Sequence, residues 1–467
     1  MTQFHVPNES DLSYFRTLLP GRVFAAEDIS TDYTHDEMTE YGAFRPDAVL
    51  QALTTEEVSA VLAYCNQKKI AVTPRGAGTG LCGGCVPICG GIVLSTEKMK
   101  KVLEVDVRNM TATLEPGVLL MEFPKSLEGT GLFYPPDPGE KTATMGGNAM
   151  TNAGGMRAVR YGVTRDYILG MKVVLADGTV LSLGGKNVKT SSGYSLIDLL
   201  IGSEGTLGFL TELTVKLIPE PKVNLSLLIP FDDLDAYIGA VPRVLACGCE
   251  PTAVEFMQRE VITCAETYLG RQFPDCSADA YLLVRLDGAS AQALQPSIDA
   301  LTDLVLSLGA KDVLLADTDE RKESIWNSRG AFLEAIKGST TTMDECDVVV
   351  PRDSIPGFVR RSVEIGRRIG VRIPSFGHAG DGNLHIYVCR DALDEETWKA
   401  AVSQVMAELY EVSRELGGSV SGEHGIGHAK KTYLRQSLGQ TQLALMRGIK
   451  AAFDPNGILN PGKVLSE

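Results

Sequence analysis

Residues 70–80, IAVTPRGAGTG, run an apolar strand straight into three glycines at alternate positions, Gly76, Gly78 and Gly80. Glycine carries no Cβ, so successive backbone N–H groups can converge on an anion that any other residue would hold off. The spacing is G-x-G-x-G. It is therefore neither the G-x-G-x-x-G of a dinucleotide-binding strand–turn–helix nor a Walker loop, which needs Gly-Lys-Ser/Thr. A tight turn would explain it alone. A second cluster, PPDPGEKTATMGGNAMTNAGG, sets Gly146-Gly147 and Gly154-Gly155 around Asn148, Thr151 and Asn152. Two such loops in one domain suit an extended ligand with a pyrophosphate at its middle.

The chain has 467 residues, too many for one ordinary core, which predicts two or three domains. Residues 54–69 predict a helix with a Thr cap and with Val58, Val61 and Leu62 on one face. Residues 102–118 and 170–185 predict hairpins, the second turning at Asp177-Gly178. A strand within 206–221 ends in a proline-rich stretch that reads as a domain boundary. Beyond it the runs LSLLIPF, TAVEFM, AYLLVRLDG, KDVLLAD, CDVVVP and LHIYVC alternate with helical patterns over 290–308, 319–337, 354–369 and 395–416. That alternation predicts an α+β or α/β layer. A helix over 439–453 and the loop DPNGILNPGK follow.

Net charge is −15, which argues against nucleic acid as a partner. No run approaches the eighteen apolar residues of a membrane span, and MTQFHVPNES lacks the regions of a signal peptide. Ten cysteines without a secretion signal predict a reducing cytoplasm and mostly free thiols. Cys82, Cys85 and Cys89 have a C-x2-C-x3-C spacing but no clear fourth partner, so they read as close packing rather than a cluster site.

Four of the six histidines crowd two short stretches, HAGDGNLH (His378, His385) and SGEHGIGH (His424, His428). The first pair is i, i+7, but Gly380 and Gly382 oppose a helix, whereas a strand–loop–strand lets both side chains converge. Two imidazoles and a carboxylate leave open positions on a metal, and Glu423, beside His424, is a candidate third ligand. Surface or turn histidines are the plain alternative. Gly425 and Gly427 argue against a helical pair of His424 with His428, so His428 is left out of the set.

PRGAGTGL, PPDPGEKTATMGGNAMTNAGG, YGVTRDYILGMKVVLADG and GSEGTLG resemble the FAD-binding domain of the vanillyl-alcohol-oxidase type. HAGDGNLH, SGEHGIG and DPNGILNPGK resemble the C-terminal part of its 2-hydroxy-acid branch. That branch includes D-lactate dehydrogenases, the FAD subunit of glycolate oxidase and D-2-hydroxyglutarate dehydrogenases. The resemblance covers nearly the whole chain, in the family's order. It implies an α+β fold, with a two-subdomain FAD-binding domain over 1–220 and an α+β cap for substrate, carrying the metal-site loop, over 221–415. A helical C-terminal segment over 416–467 would carry the Glu-His motif and return to the FAD domain. FAD would lie on Pro74, Arg75, Gly76, Ala77, Gly78, Thr79 and Gly80, its pyrophosphate meeting that backbone and the Gly146-Gly147 turn. Asp137, Gly139, Thr144, Met145 and Thr151 complete the site. Asn152, Gly155 and Gly205 would lie along the flavin or its ribityl chain, and Asn460 would touch it from the tail. RGAGTG holds no His or Cys to tether a flavin, so non-covalent FAD is expected, with Cys82 following closely.

The resemblance further implies one divalent ion on His378, His385 and Glu423, zinc first and iron(II) or manganese next. His424 would be the base, and Arg329 in IWNSRGAF would hold the substrate carboxylate. The plain reading of Arg329 is a solvated helix arginine. Asp381 and Asn383 would shape the loop or support the metal ligands from behind. Relatives that take hydroxyglutarate carry a lysine on the following strand, where this chain has Glu345 in MDECDVVVP, and that departure points to lactate or glycolate. The expected activity is oxidation of a small D-2-hydroxy acid, D-lactate first, with hydride passing to flavin N5. Electrons would then go to an electron-transfer flavoprotein, an iron–sulfur subunit or a quinone. A homodimer is one option the sequence leaves open. A non-redox transferase on the same fold, such as alkyl-glycerone-phosphate synthase, is the competitor, and it would lack the metal triad.

Overall fold

The computed structural model describes residues 4–465; the first three residues of MTQFHVPNES and the last two of the tail lie outside them. The chain divides into two compact units. One comprises Met1–Ala153, Val163–Glu220 and Glu423–Glu467, the other Gly154–Gly162 and Pro221–Gly422.

In the first unit Thr54 caps helix Thr55–Lys68, its side chain accepting from the Glu57 N–H at 3.2 Å. Val58, Val61, Leu62 and Cys65 form the buried stripe. Strands Ala48–Gln51, Ile92–Ser95 and Val72–Arg75 pair in parallel with Ile92–Ser95 between the other two. Their near-continuous burial suits a parallel sheet covered on both faces. A five-stranded antiparallel sheet follows, in the order Val102–Asp106, Thr111–Leu114, Phe209–Lys216, Ile168–Val174, Val180–Gly184. Both expected hairpins are in it, and Gly178, at φ 88°, completes the turn after Asp177. The tail returns beside the strand that feeds the first glycine loop. Val72 N–H donates to Ile458 O at 2.8 Å, and Asn460 N–H donates to Val72 O at 2.7 Å. Ile458 and Leu459 share a core with Phe15, Leu50, Val174 and Phe209. The sequence reads 145–151 as loop, but the structure makes it helix Met145–Thr151. Thr144 decides this as the cap, accepting from Gly147 N–H at 3.1 Å, and it outweighs two glycines of poor helix propensity.

The second unit is built on seven antiparallel strands in the order Leu314–Ala316, Val223–Phe231, Ala280–Gly288, Ala253–Gln258, Ser375–His378, Asn383–Cys389, Met343–Val349. These are the six apolar runs of the sequence plus the strand that leads into HAGDGNLH. The pattern over 319–337 resolves into two helices, Asp319–Gly330 and Phe332–Gly338. Together with Arg259–Leu269 they cover one sheet face, packing Val261, Ile262, Ile325, Phe332 and Ile336 on Met257, Tyr281, Phe376 and Tyr387. Residues 154–162 anchor to this unit through Arg160 Nη1, which donates to Glu250 O and Asp287 O, each at 3.1 Å. Tyr161 adds a hydroxyl bond to Asp287 Oδ2 at 3.0 Å. Among the described residues no helix is long and apolar enough to cross a membrane, and none of the ten cysteines forms a disulfide.

Candidate functional site

Strand register assembles a row of polar side chains on one face of the second unit's sheet. Ser375–His378 and Asn383–Cys389 form the two arms of a hairpin closed by Gly382 N–H donating to His378 O at 3.0 Å. Phe376 pairs with His385, so His378, two residues on, shares His385's face. The rings lie 5.1 Å apart at 89°, and each offers a nitrogen within 4.8 Å of the other's. Asp347 stands opposite His385 and Glu345 opposite Tyr387 on the neighbouring strand. Glu345 is fully buried, accepts from Tyr387 OH at 2.9 Å, and has an oxygen within 4.8 Å of a His385 nitrogen.

On the other side of the hairpin lies Ala253–Gln258, with Phe256 paired to Gly377. That register brings Glu255 to His378. Its two carboxylate oxygens lie 2.8 and 2.9 Å from His378 Nδ1. Arg329, from helix Asp319–Gly330, reaches the same carboxylate, with Nε at 2.8 Å and Nη2 at 2.6 Å from Oε2. Its guanidinium lies 4.5 Å above the Phe376 ring, a cation–π stack. Burial pushes the Glu255 carboxyl up, yet His378 and Arg329 together hold it below the usual carboxylate value. Arg329 is thus a buried, paired cation, not the solvated helix arginine of the plain reading. Glu255 is absent from the sequence reading. Its signal was there: one acid inside the apolar run TAVEFM, a position that burial tolerates only with partners.

Asp347 ties the end of this unit's chain to the same row. It accepts from Asn383 Nδ2 at 2.7 Å, from Ser421 Oγ at 2.8 Å and from Gly422 N–H at 3.1 Å. A Cβ on Gly422 would sit 2.1 Å from Asn383 Nδ2, so only glycine fits there. Glu423 is the next residue and opens the returning segment of the first unit. There Glu204 accepts from Ile426 N–H at 2.8 Å and Gly427 N–H at 2.7 Å. Burial nevertheless raises the Glu204 pKa, against the pull of those two donors. Cys82 Sγ donates to His424 O at 3.3 Å and Gly425 O at 3.2 Å, which fixes the backbone that bears His424. The His424 ring stands 3.6 Å from Glu423 Oε1, too far for a hydrogen bond.

The expected dinucleotide residues, Gly155 excepted, belong to the first unit; Gly155 lies in the excursion that belongs to the second. Arg75 turns its guanidinium inward, donating to His35 O at 2.8 Å and Asp32 O at 2.6 Å. The two glycine clusters meet, since a Cβ on Gly76 would sit 2.4 Å from Thr144 Oγ1. Gly205 closes on Pro74 in the same way, at 2.8 Å. Asn460 donates to Gly84 O at 2.9 Å and Glu204 O at 2.7 Å. Asn152 adopts φ 54° and accepts from Arg165 N–H at 3.0 Å. Thr151 donates back to Gly147 O at 3.1 Å, and Met145 is buried. Asp137 pairs with Lys141, while Gly139 has open space around its Cβ position. Asn148 Nδ2 and Asn460 Oδ1 are buried without a hydrogen-bond partner among the described residues.

Comparison with known proteins places these features in a family. Residues 46–184 match the FAD binding domain, and residues 220–464 match the C-terminal domain of FAD linked oxidases. The chain is 48% identical over 467 residues to a D-lactate dehydrogenase of Anaerostipes hadrus, covering 99% of this chain and 98% of that one. It is 38% identical to the glycolate oxidase subunit GlcD of Bacillus subtilis, over 93% and 92% of the two chains. A crystal structure of p-cresol methylhydroxylase with substrate bound superposes with a TM-score of 0.80 at 20% identity, covering 98% of this chain and 96% of that one, which is a likeness of fold. With the two glycine clusters, the α+β second unit and both domain matches in hand, the chain belongs to the FAD-linked oxidases, in the fold of the vanillyl-alcohol-oxidase type.

Proposed function

We propose that this chain oxidises a small D-2-hydroxy acid, D-lactate before glycolate, with non-covalent FAD on the first unit and the substrate cap in the second. One divalent ion would be held by His378, His385 and Glu423, zinc before iron(II) or manganese. The observation that carries the metal reading is the histidine pair, two buried imidazoles on one sheet face with nitrogens within 4.8 Å. Glu423 follows Gly422, whose N–H is bound by Asp347 on the strand beside His385, and this supports it as the carboxylate ligand. For FAD, the fit rests on the Cβ-free backbone at Gly76 and Gly78 and on the unsatisfied polar atoms of Asn148 and Asn460.

When bound, FAD supplies the hydride acceptor and the divalent ion lowers the pKa of the substrate hydroxyl. His424 then takes the hydroxyl proton on a ring nitrogen, the role of a general base. Arg329 holds the substrate carboxylate through a charge-assisted hydrogen bond. Electrons leave to an external acceptor, whether electron-transfer flavoprotein, an iron–sulfur subunit or a quinone. The D-lactate dehydrogenase and glycolate oxidase subunit among the relatives support the substrate class. Glu345, a buried acid near the place where hydroxyglutarate relatives are expected to carry a lysine, supports a monocarboxylate over D-2-hydroxyglutarate. Ten cysteines without a disulfide fit a reducing, cytoplasmic setting.

The test is an anaerobic titration of the yellow protein with D-lactate, L-lactate, glycolate and D-2-hydroxyglutarate, followed by flavin absorbance. Bleaching by D-lactate at the lowest concentration is expected. A flavin that D-lactate leaves oxidised overturns the substrate assignment.

A further inference from the structure

We infer that Glu255 is a positioning residue that sets both halves of the site in the second unit, fixing the tautomer of His378 for metal binding and the orientation of Arg329. This rests on the metal reading proposed above and extends it to a residue outside that set. Glu255 lies 123 residues before His378 and 74 before Arg329, and is fully buried.

A carboxylate flanked by a guanidinium is ionised, and an ionised carboxylate only accepts. Both Glu255 oxygens lie within 2.9 Å of His378 Nδ1, so Nδ1 must carry the proton. In the neutral imidazole the lone pair is then on Nε2, the atom that remains for an ion. A ligand histidine whose other nitrogen donates to a carboxylate is oriented and made more basic, and loss of that partner weakens metal binding. The charges also close. Within this trio Glu255 and Arg329 cancel with His378 neutral.

The same oxygen of Glu255 accepts a hydrogen bond from Arg329 Nε and lies in ion-pair contact with Nη2. Phe376 stacks on the guanidinium plane and also lies 5.3 Å from the His385 ring. Nε alone spends its N–H on Glu255, so Nη1 and Nη2 keep the N–H groups that a substrate carboxylate would address. One carboxylate would therefore hold a metal ligand and the substrate's anchor in one frame, as a substrate that must meet both requires.

The experiment measures zinc affinity of the FAD-loaded protein by competition with a chromophoric chelator, with FAD content and Tm read in parallel. Glu255→Gln keeps the shape but removes the acceptor-only charge. Its zinc affinity should fall about 10- to 100-fold, with FAD content unchanged and KM for the hydroxy acid raised. Because Glu255→Gln leaves the Arg329 cation buried and unpaired, the double variant Glu255→Gln/Arg329→Gln serves where the single one does not fold. It too should lose zinc affinity, whereas Arg329→Gln alone should keep it. A merely structural role would lower Tm and FAD content together and leave the zinc affinity of the folded fraction alone. Wild-type zinc affinity in the single or the double variant overturns the inference. A wild-type protein that binds FAD but no zinc, iron(II) or manganese overturns the metal reading itself.

Discussion

Gly78→Ala is the sharpest test of the first glycine loop. Gly78 sits at φ 82°, and a Cβ there would lie 2.0 Å from Arg75 Nη2 and 2.6 Å from Cζ. The guanidinium has nowhere to retreat, because Nη1 and Nη2 are tied to His35 O and Asp32 O at 2.8 and 2.6 Å. The left-handed backbone costs an alanine about 1–2 kcal/mol. Breaking the Nη2 bond of a buried charged donor costs about 1.5–3 kcal/mol. The sum, roughly 2.5–5 kcal/mol, lowers Tm on the order of 10 °C for a unit this large. It also displaces the backbone on which FAD is expected to lie, so the variant should purify with less flavin. Gly139→Ala is the control from the same set of expected FAD residues. Its Cβ would meet nothing within 4 Å, and its backbone is not left-handed, so stability should change by less than about 0.5 kcal/mol. The assay is the ratio of flavin to protein absorbance together with a thermal melt. A Gly78→Ala protein with full flavin and an unchanged melt refutes the reasoning.

His424→Ala should retain FAD and metal yet slow flavin reduction by about 10²–10⁴-fold in stopped flow, the worth of a positioned base, and normal reduction would move that role elsewhere. Glu423→Gln should lose the ion on elemental analysis while Glu345→Gln keeps it; the reverse outcome would make Glu345 the carboxylate ligand. Burial, with Lys463 and Lys431 adding to it, lowers the His428 pKa from 6.5 to about 4. The unfolded chain therefore binds one more proton at this site between those values, and the site costs stability as pH falls through that window. Denaturant midpoints of wild type and His428→Gln should accordingly converge on acidification from pH 7 to 4.5, and parallel curves would contradict the assignment.

The fold was legible where local chemistry agreed with tertiary demand. The Thr54 cap, the buried stripe through Val58 and Val61 and the Asp177-Gly178 turn are each set within a few residues, and each stands where the sequence puts it. Local signals failed where a neighbour decided. Met145–Thr151 reads as loop because its glycines disfavour helix, but Thr144 caps the turn. The 319–337 pattern is one periodic run that breaks at Ala331, letting Phe332 and Ile336 pack beneath the sheet.

The site divides the same way. His378 and His385 announce themselves because glycines between two histidines exclude a helix, leaving a hairpin as the means of bringing both to one face. Glu255 and Asp347 carry no such spacing. They reach the histidines only through strand pairing, Phe256 on Gly377 from one side and Asp347 on His385 from the other. A one-residue slip in either register would turn the acid to the opposite face and leave it buried without its partner. The sheet therefore does more than carry the hairpin. The demand that Glu255 find His378 and Arg329, and that Asp347 find Asn383 and Gly422, specifies both registers at once. The groups that hold the histidines in place are thus the groups that penalise any other pairing of these strands.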